Sequence, residues 1–308
     1  MYLQIELVRN IQNLDCGRWK LMLESRGEKV FYVFNYIILG LFALSTLYPL
    51  LYVLSASLSS PQAVVTGDVF LYPKEFTLTA YKAVFKENGV WMGYANTIYY
   101  TVAGTFTSMV LTICGAYALS KKRLKGRTFF NLLISFTLIF APGMIPMYLN
   151  FRDLHLLDSR FGIVIGFAVS TFNFIILRTF FQAIPEEIEE AARIDGAGDV
   201  RVLFGVVLPL SKAALATISL FYAVSRWNGY FWAMVLLRDE DKYPLQVLLN
   251  QLVVKMKPSE SMLNDISYST GETIIYATII VAVIPIIVVY PFIQRHFVKG
   301  VMIGSLKG

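Results

Sequence analysis

Five long stretches of this sequence contain no Asp, Glu, Lys or Arg: Val30–Gly67, Asn88–Ser120, Thr128–Phe151, Phe161–Leu177 and Thr273–Gln294. A sixth, Ala213–Leu237, carries a single charge, Arg226. In a bilayer the backbone finds no water, so each segment must satisfy its own N–H and C=O groups. A helix does this, and ~20 apolar residues cross the ~30 Å hydrocarbon core. A barrel would instead show short segments of alternating polarity. The chain is therefore expected to be an all-α polytopic membrane protein with six transmembrane helices, spanning about 30–54, 90–119, 128–150, 161–181, 211–231 and 273–295. Residues 1–29 are expected to form a cytoplasmic N-terminal segment and 30–308 the six-helix transmembrane domain, with an inner loop over 182–210. Ser55–Gly67 reads as a polar exit loop, and Pro142, Gly143 and Pro146 as a break in the third span. The fourth run is short and is expected to continue to Phe181, with Arg178 reaching back to the interface.

Composition agrees. The chain is 56% hydrophobic and only 16% charged, where soluble domains average about 25% charged. The net charge of +6 does not argue for nucleic acid, because the basic residues flank the apolar runs, where they set orientation. With the N-terminus inside, the leader, Lys121–Arg127, Arg178–Lys212 and the tail after Gln294 hold 17 of the 27 Lys and Arg residues. Both termini are then cytoplasmic. Lys121–Arg127 is the firmest marker; it serves as a topology anchor or, more sharply, as a site for anionic lipid. The outer loop beyond Arg238 repeats Leu245, Leu248, Leu249, Leu252, Val253 and Met256 at helical spacing. That helix either caps the bundle or meets an external partner. Cys16 and Cys114 lie far apart and read as reduced thiols.

The polar loop between the fourth and fifth spans is the most patterned part. Pro185 suits a helix start, Glu186 and Glu187 favour the positive end of the helix dipole, and Gly196 suits a left-handed stop. Ile188, Ala191, Ala192 and Asp195 fall on one face, which the two alanines leave open to close approach by another protein. From the residues alone this is a docking element or an ordinary amphipathic linker.

Glu190-Ala191-Ala192, Gly196 after three residues, Val206 after nine more, and Leu208-Pro209 resemble the EAA signature of ABC-importer membrane subunits. Val206 stands where the family has Ile. Asn96-Thr97, Gly115 to Ser120, Pro142 to Pro146, Trp227-Asn228 and the tail Gln294 to Gly300 resemble the maltose-type (MalG-like) sugar permeases. Around Tyr243-Pro244-Leu245-Gln246 the chain is most similar to the branch linked with complex, acidic oligosaccharides such as alginate fragments. The resemblance implies a type I (MetI-like) permease fold. It also implies a coupling helix that fits a cleft on the ATPase, with Glu190, Ala191, Ala192, Asp195 and Gly196 in that role. The implied partners are a homologous second permease, two ATP-binding-cassette ATPases and a solute-binding protein outside, with the lipid bilayer around them.

The chain has no Gly-Lys dipeptide, so no P-loop, and Arg201 occupies the third glycine position after Gly196 and Gly198. His155 and His296 suggest no metal cluster. No cofactor is expected in this chain; ATP and Mg belong to the partner ATPases, and the chain is not itself an enzyme. Sugars bind through hydroxyl hydrogen bonds and aromatic faces. Tyr94, Asn96, Tyr99, Tyr100, Asn173, Arg226, Trp227 and Asn228 are the pathway candidates, although Tyr and Trp also furnish interfacial belts and Asn bridges helices. Arg226 would draw an anionic sugar or reach outward to the interface. The competing function is a secondary transporter driven by an ion gradient. Such folds carry intramembrane acids and inverted repeats, and neither is evident here.

Overall fold

The computed structural model describes residues 26–255 and 271–288. Most of the N-terminal segment, Met256, and the tail with the end of the sixth span lie outside them. Helix α1 (Arg26–Ser57) is followed by α2 (Pro61–Val65), α3 (Thr79–Lys86) and α4 (Asn88–Ser120). Next come α5 (Arg127–Ile139), α6 (Met144–Asp153), α7 (Arg160–Ile165), α8 (Thr171–Gln182) and α9 (Glu186–Ile194). The remainder comprises α10 (Asp199–Leu210), α11 (Lys212–Trp227), α12 (Phe231–Leu236), α13 (Leu245–Lys255) and α14 (Gly271–Val288). Among the described residues three helices, α1, α4 and α14, are long and apolar enough to cross a membrane unbroken, and the bent pair α10–α11 makes a fourth candidate.

Helix α4 is the spine, packing against α11, α8, α13 and α7. Its buried stripe runs Val90, Gly93, Thr97, Tyr100, Gly104, Ser108, Thr112 and Ala116 at helical spacing. Small residues suit this place, because between lipid-embedded helices the gain comes from close packing rather than from expelling water. At Gly104 the Arg226 side chain crosses the helix so closely that a Cβ there would stand 2.9 Å from Arg226 Nε. The main core unites Ala116 and Leu119 of α4 with Phe174, Leu177 and Phe181 of α8, Val202, Leu203 and Val207 of α10, and Ile218 and Tyr222 of α11.

Several segments depart from single straight spans. The third run is interrupted between Ile139 and Met144, around Pro142 and Gly143, and Pro146 sits within the first turn of α6. The fourth run, expected as one helix, is two: α7 stops at Ile165 and α8 restarts at Thr171 on its Ser170 cap. Gly162 and Gly166 pack against Leu156 and Phe151, and the chain between the helices lines a cavity described below. The fifth run meets α10 at 86°. Pro209 has no N–H to give and its ring crowds the preceding turn; a π turn over Leu203–Val207, closed by Leu208 N–H to Leu203 C=O, absorbs the misfit. The exit loop after α1 contains α2, capped by Ser60. On α13 the inward residues are Leu245, Val247 and Leu249, while Val253, placed by periodicity on the apolar face, is exposed. This helix packs on α4 and caps the bundle end.

Candidate functional site

Helix α9 stands clear of the bundle on the side where α4 ends. Pro185 precedes it and three carboxylates, Glu186, Glu187 and Glu189, occupy its first turn. It stops in a Schellman arrangement: Gly196 has φ +84°, its N–H bonds Arg193 C=O at 2.9 Å, and Ala197 N–H bonds Ala192 C=O at 3.0 Å. Nothing lies within 4 Å of the Cβ position at Gly196, so its backbone demands glycine while its surroundings in this chain leave space open. Glu190, Ala191, Asp195 and Gly196 are all exposed. Ala192 is half-buried against the core. Ile194, 86% exposed, stands on the open surface beside them, and Ile188 joins it. An apolar helix face held outward on a polar loop is what a protein partner covers.

Glu189 was not singled out from the sequence, and the structure makes it central. It is 6% exposed and takes the Lys121 ammonium from the end of α4, with Arg193 3.8 Å away. Lys121 also lies 4.4 Å over the Tyr117 ring. Lys122 pairs with Glu186 at 2.9 Å, and its ammonium holds the Glu186 carboxyl below the usual range. Arg123 pairs with Asp199, which also meets Arg193 at 3.3 Å. The basic stretch that orients the chain thus also grips the α9–α10 loop. Its residue types carried that signal, three cations facing a run of acids, but only the fold brings them together.

At the other half of the bundle a cavity of about 820 Å³ opens between α6, α7, α8, α11 and α12. Of the pathway candidates, Tyr100, Asn173, Arg226 and Asn228 line it. Tyr222, Ser225, Phe167, Tyr230, Phe231 and Trp232 line it too, and the sequence reading missed them. The Phe167 and Trp232 rings meet at a 32° tilt with centroids 5.4 Å apart. Among the described residues no carboxylate contributes to the lining, and Arg226 is the one cation.

The remaining candidates have structural partners. The Asn96 amide donates to Asp241 C=O at 2.7 Å and Tyr243 C=O at 3.1 Å. Tyr100 donates to Lys242 C=O at 2.9 Å, and Thr97 Oγ1 accepts from Leu245 N–H at 2.8 Å. Together they pin the 241–245 segment onto α4. Tyr94 donates to Val281 C=O on α14 and its ring meets Trp227 edge-on at 6.4 Å. Tyr99, half exposed, packs edge-on against Tyr100. Arg226 does not reach outward. Its guanidinium donates to the C=O groups of Ile163 (2.7 Å), Val164 (3.0 Å) and Phe167 (2.7 Å), and to Ser108 Oγ at 3.3 Å. These are the carbonyls that the break after α7 deprives of helical partners, so the arginine caps a broken helix inside the bundle.

Near this end Asp158 ties two loops. Its carboxylate accepts from Lys242 Nζ at 2.8 Å and from the N–H groups of Arg238 (3.0 Å) and Asp239 (3.1 Å). Those bonds, Lys242 first, hold its pKa down to about 2, and Asp158 in turn raises that of Lys242.

Membrane-length helices packed around an aromatic-lined cavity, with a short polar-loop helix held at one end by ion pairs, define a multi-pass membrane protein. Residues 16–303 match the family described as binding-protein-dependent transport system inner membrane component, and the chain belongs to that family. It is 42% identical, over 91% of its length and 99% of the relative's, to the polygalacturonan/rhamnogalacturonan transport system permease protein YtcP of Bacillus subtilis (strain 168). It is 38% identical to Protein LplC of the same organism, over 93% of this chain and 98% of that one. Among solved structures it is similar to a chain of a bacterial ABC transporter involved in import of the acidic polysaccharide alginate. The TM-score is 0.83 at 49% identity, covering 89% of this chain and 99% of that one.

Proposed function

We propose that this chain is one of two permease subunits of an ATP-driven importer for an acidic oligosaccharide, with six spans and both termini in the cytoplasm. The observation that carries the reading is α9: a short helix with exposed Ile188, Glu190, Ala191 and Ile194, braced from behind by ion pairs to the end of α4. Two ATPase subunits, which bind ATP and Mg, close and push on this helix. The Lys121–Glu189 pair passes the displacement to α4. That helix carries Asn96, Thr97 and Tyr100 near its far end, and these hold the 241–245 segment beside the cavity. A solute-binding protein delivers the sugar from outside, and a homologous permease supplies the other half of the pathway. The substrate class rests on the names of the relatives that carry polygalacturonan/rhamnogalacturonan and alginate, and on a cavity with one cation, no carboxylate and several rings.

Reconstitution with the partner subunits tests this. Uptake of uronic-acid oligosaccharides is expected to require ATP hydrolysis and the binding protein. Gly196→Trp is expected to abolish uptake with membrane insertion unchanged, because the indole projects from a surface that the ATPase must cover. Uptake driven by an ion gradient without ATP, or normal uptake by the Gly196→Trp variant, sinks the proposal.

A further inference from the structure

We propose that the groove between the start of α5 and the end of α8 binds the phosphate of an anionic glycerophospholipid. It holds about 400 Å³ and is walled by Arg127, Thr128, Asn131 and Ser135 on one side and Arg178 and Gln182 on the other. Among the described residues two cations and no carboxylate line it. Their basic neighbours differ: Lys121, Lys122, Arg123 and Arg193 are all spent on Glu186, Glu189 or Asp199. Arg127 instead donates through Nε to Leu119 C=O at 3.1 Å. Arg178 donates through Nη1 to the Asn131 amide oxygen, which holds the guanidinium against α5. Its Nε is buried without a protein partner, so the Nη end of the guanidinium is what a ligand in the groove can meet. Planar guanidinium groups with open N–H positions match phosphate oxygens.

The shape of the surface selects a lipid rather than a free anion. Helix α5 buries none of its residues. Beyond the arginines the groove continues past Leu132, 70% exposed, toward Ser135, with Phe129, Leu133 and Phe136 open alongside. Cations at the helix ends and apolar surface above them, within about 10 Å along the axis, fit a headgroup and the first part of its chains. The N-cap of α5 is Gly126, which brings no side chain to the first-turn amides, and the positive end of that helix adds to the attraction. This proposal rests on the membrane placement used above, but its readout is lipid binding, so a failure of uptake leaves it standing and the reverse also holds.

The test is titration of the purified, assembled transporter with dioleoyl phosphatidylglycerol, followed by native mass spectrometry. Dioleoyl phosphatidylcholine and inorganic phosphate form the comparison arms. Phosphatidylglycerol is expected to bind and phosphatidylcholine not to compete. Arg178→Gln should weaken binding about fivefold, the worth of one basic residue at an anionic surface, and Arg127→Gln with Arg178→Gln about 25-fold. Lys125→Gln removes the same charge from an exposed position outside the groove and should leave binding unchanged. Equal losses in Lys125→Gln and Arg178→Gln would mean diffuse attraction and overturn the site. Displacement of the lipid by equimolar inorganic phosphate would overturn the lipid assignment. If Arg178→Gln does not assemble, Asn131→Leu decides, since it frees Arg178 without removing charge: weaker binding supports the site and unchanged binding overturns it.

Discussion

Arg226 is the residue whose meaning changed most between sequence and structure. A lone charge in an apolar run is costly unless it faces polar groups, and the sequence offered a sugar or the interface as its partner. The three carbonyls left by the break after Ile165 are its partners instead, although one edge still faces the cavity. The break itself is hard to read from Phe161–Leu177, which has no proline. Asp158 makes a separate prediction. Its carboxyl is held down to about 2, chiefly by Lys242, below the ordinary value near 3.9. A depressed carboxyl contributes stability that is complete above the unfolded value and is lost as pH falls through the folded one. The Asp158 tie is therefore expected to survive to about pH 3 and to fail toward pH 2. Amide exchange at Arg238 and Asp239, which donate to this carboxylate, reads it out. Asp158→Ala should raise their exchange at least tenfold at neutral pH.

At the scale of elements, α4, α9 and α10 are tied together by one set of ion pairs. The limits of α9 were legible in Pro185, the early glutamates and Gly196, because caps and the helix dipole are local physics. Which face turns inward was not: Glu189 goes in and Ile194 stays out, since Lys121 arrives from a helix 68 residues earlier in the chain. Breaking a buried pair by removing one partner typically costs about 3 kcal/mol or more. Glu189→Ala and Lys121→Ala are each expected to lower the thermal midpoint of the assembled transporter. The double variant should cost less than the two singles together by about 1 to 3 kcal/mol. Additive losses in that double-mutant cycle would show that the pair carries no coupling.

At the scale of the molecule, α1 stands apart. The apolar residues from Val30 to Leu51 are exposed around the whole helix, and among the described residues the helix joins its own chain near its end, where Tyr52 meets Tyr276 at 5.9 Å and Ala56 is fully buried. In a background lacking the native cysteines, Tyr52→Cys with Tyr276→Cys should be joined within the chain by a bifunctional thiol crosslinker long enough to span the space the two rings fill. Phe42→Cys paired with a cysteine at Val102 of α4 should not be joined; an efficient crosslink there would show that α1 lies against its own bundle.

The sequence by itself determined the membrane class, the long helices and the limits of the short helix in the inner loop, because hydropathy, charge and capping act within one segment and leave their pattern in neighbouring residues. Tertiary structure alone decided the break between Ile165 and Thr171, which acid receives Lys121, what Arg226 bonds and which rings share a cavity. Each of these depends on a partner far along the chain. In a bilayer an orphaned carbonyl or an unpaired charge costs too much to be left without one.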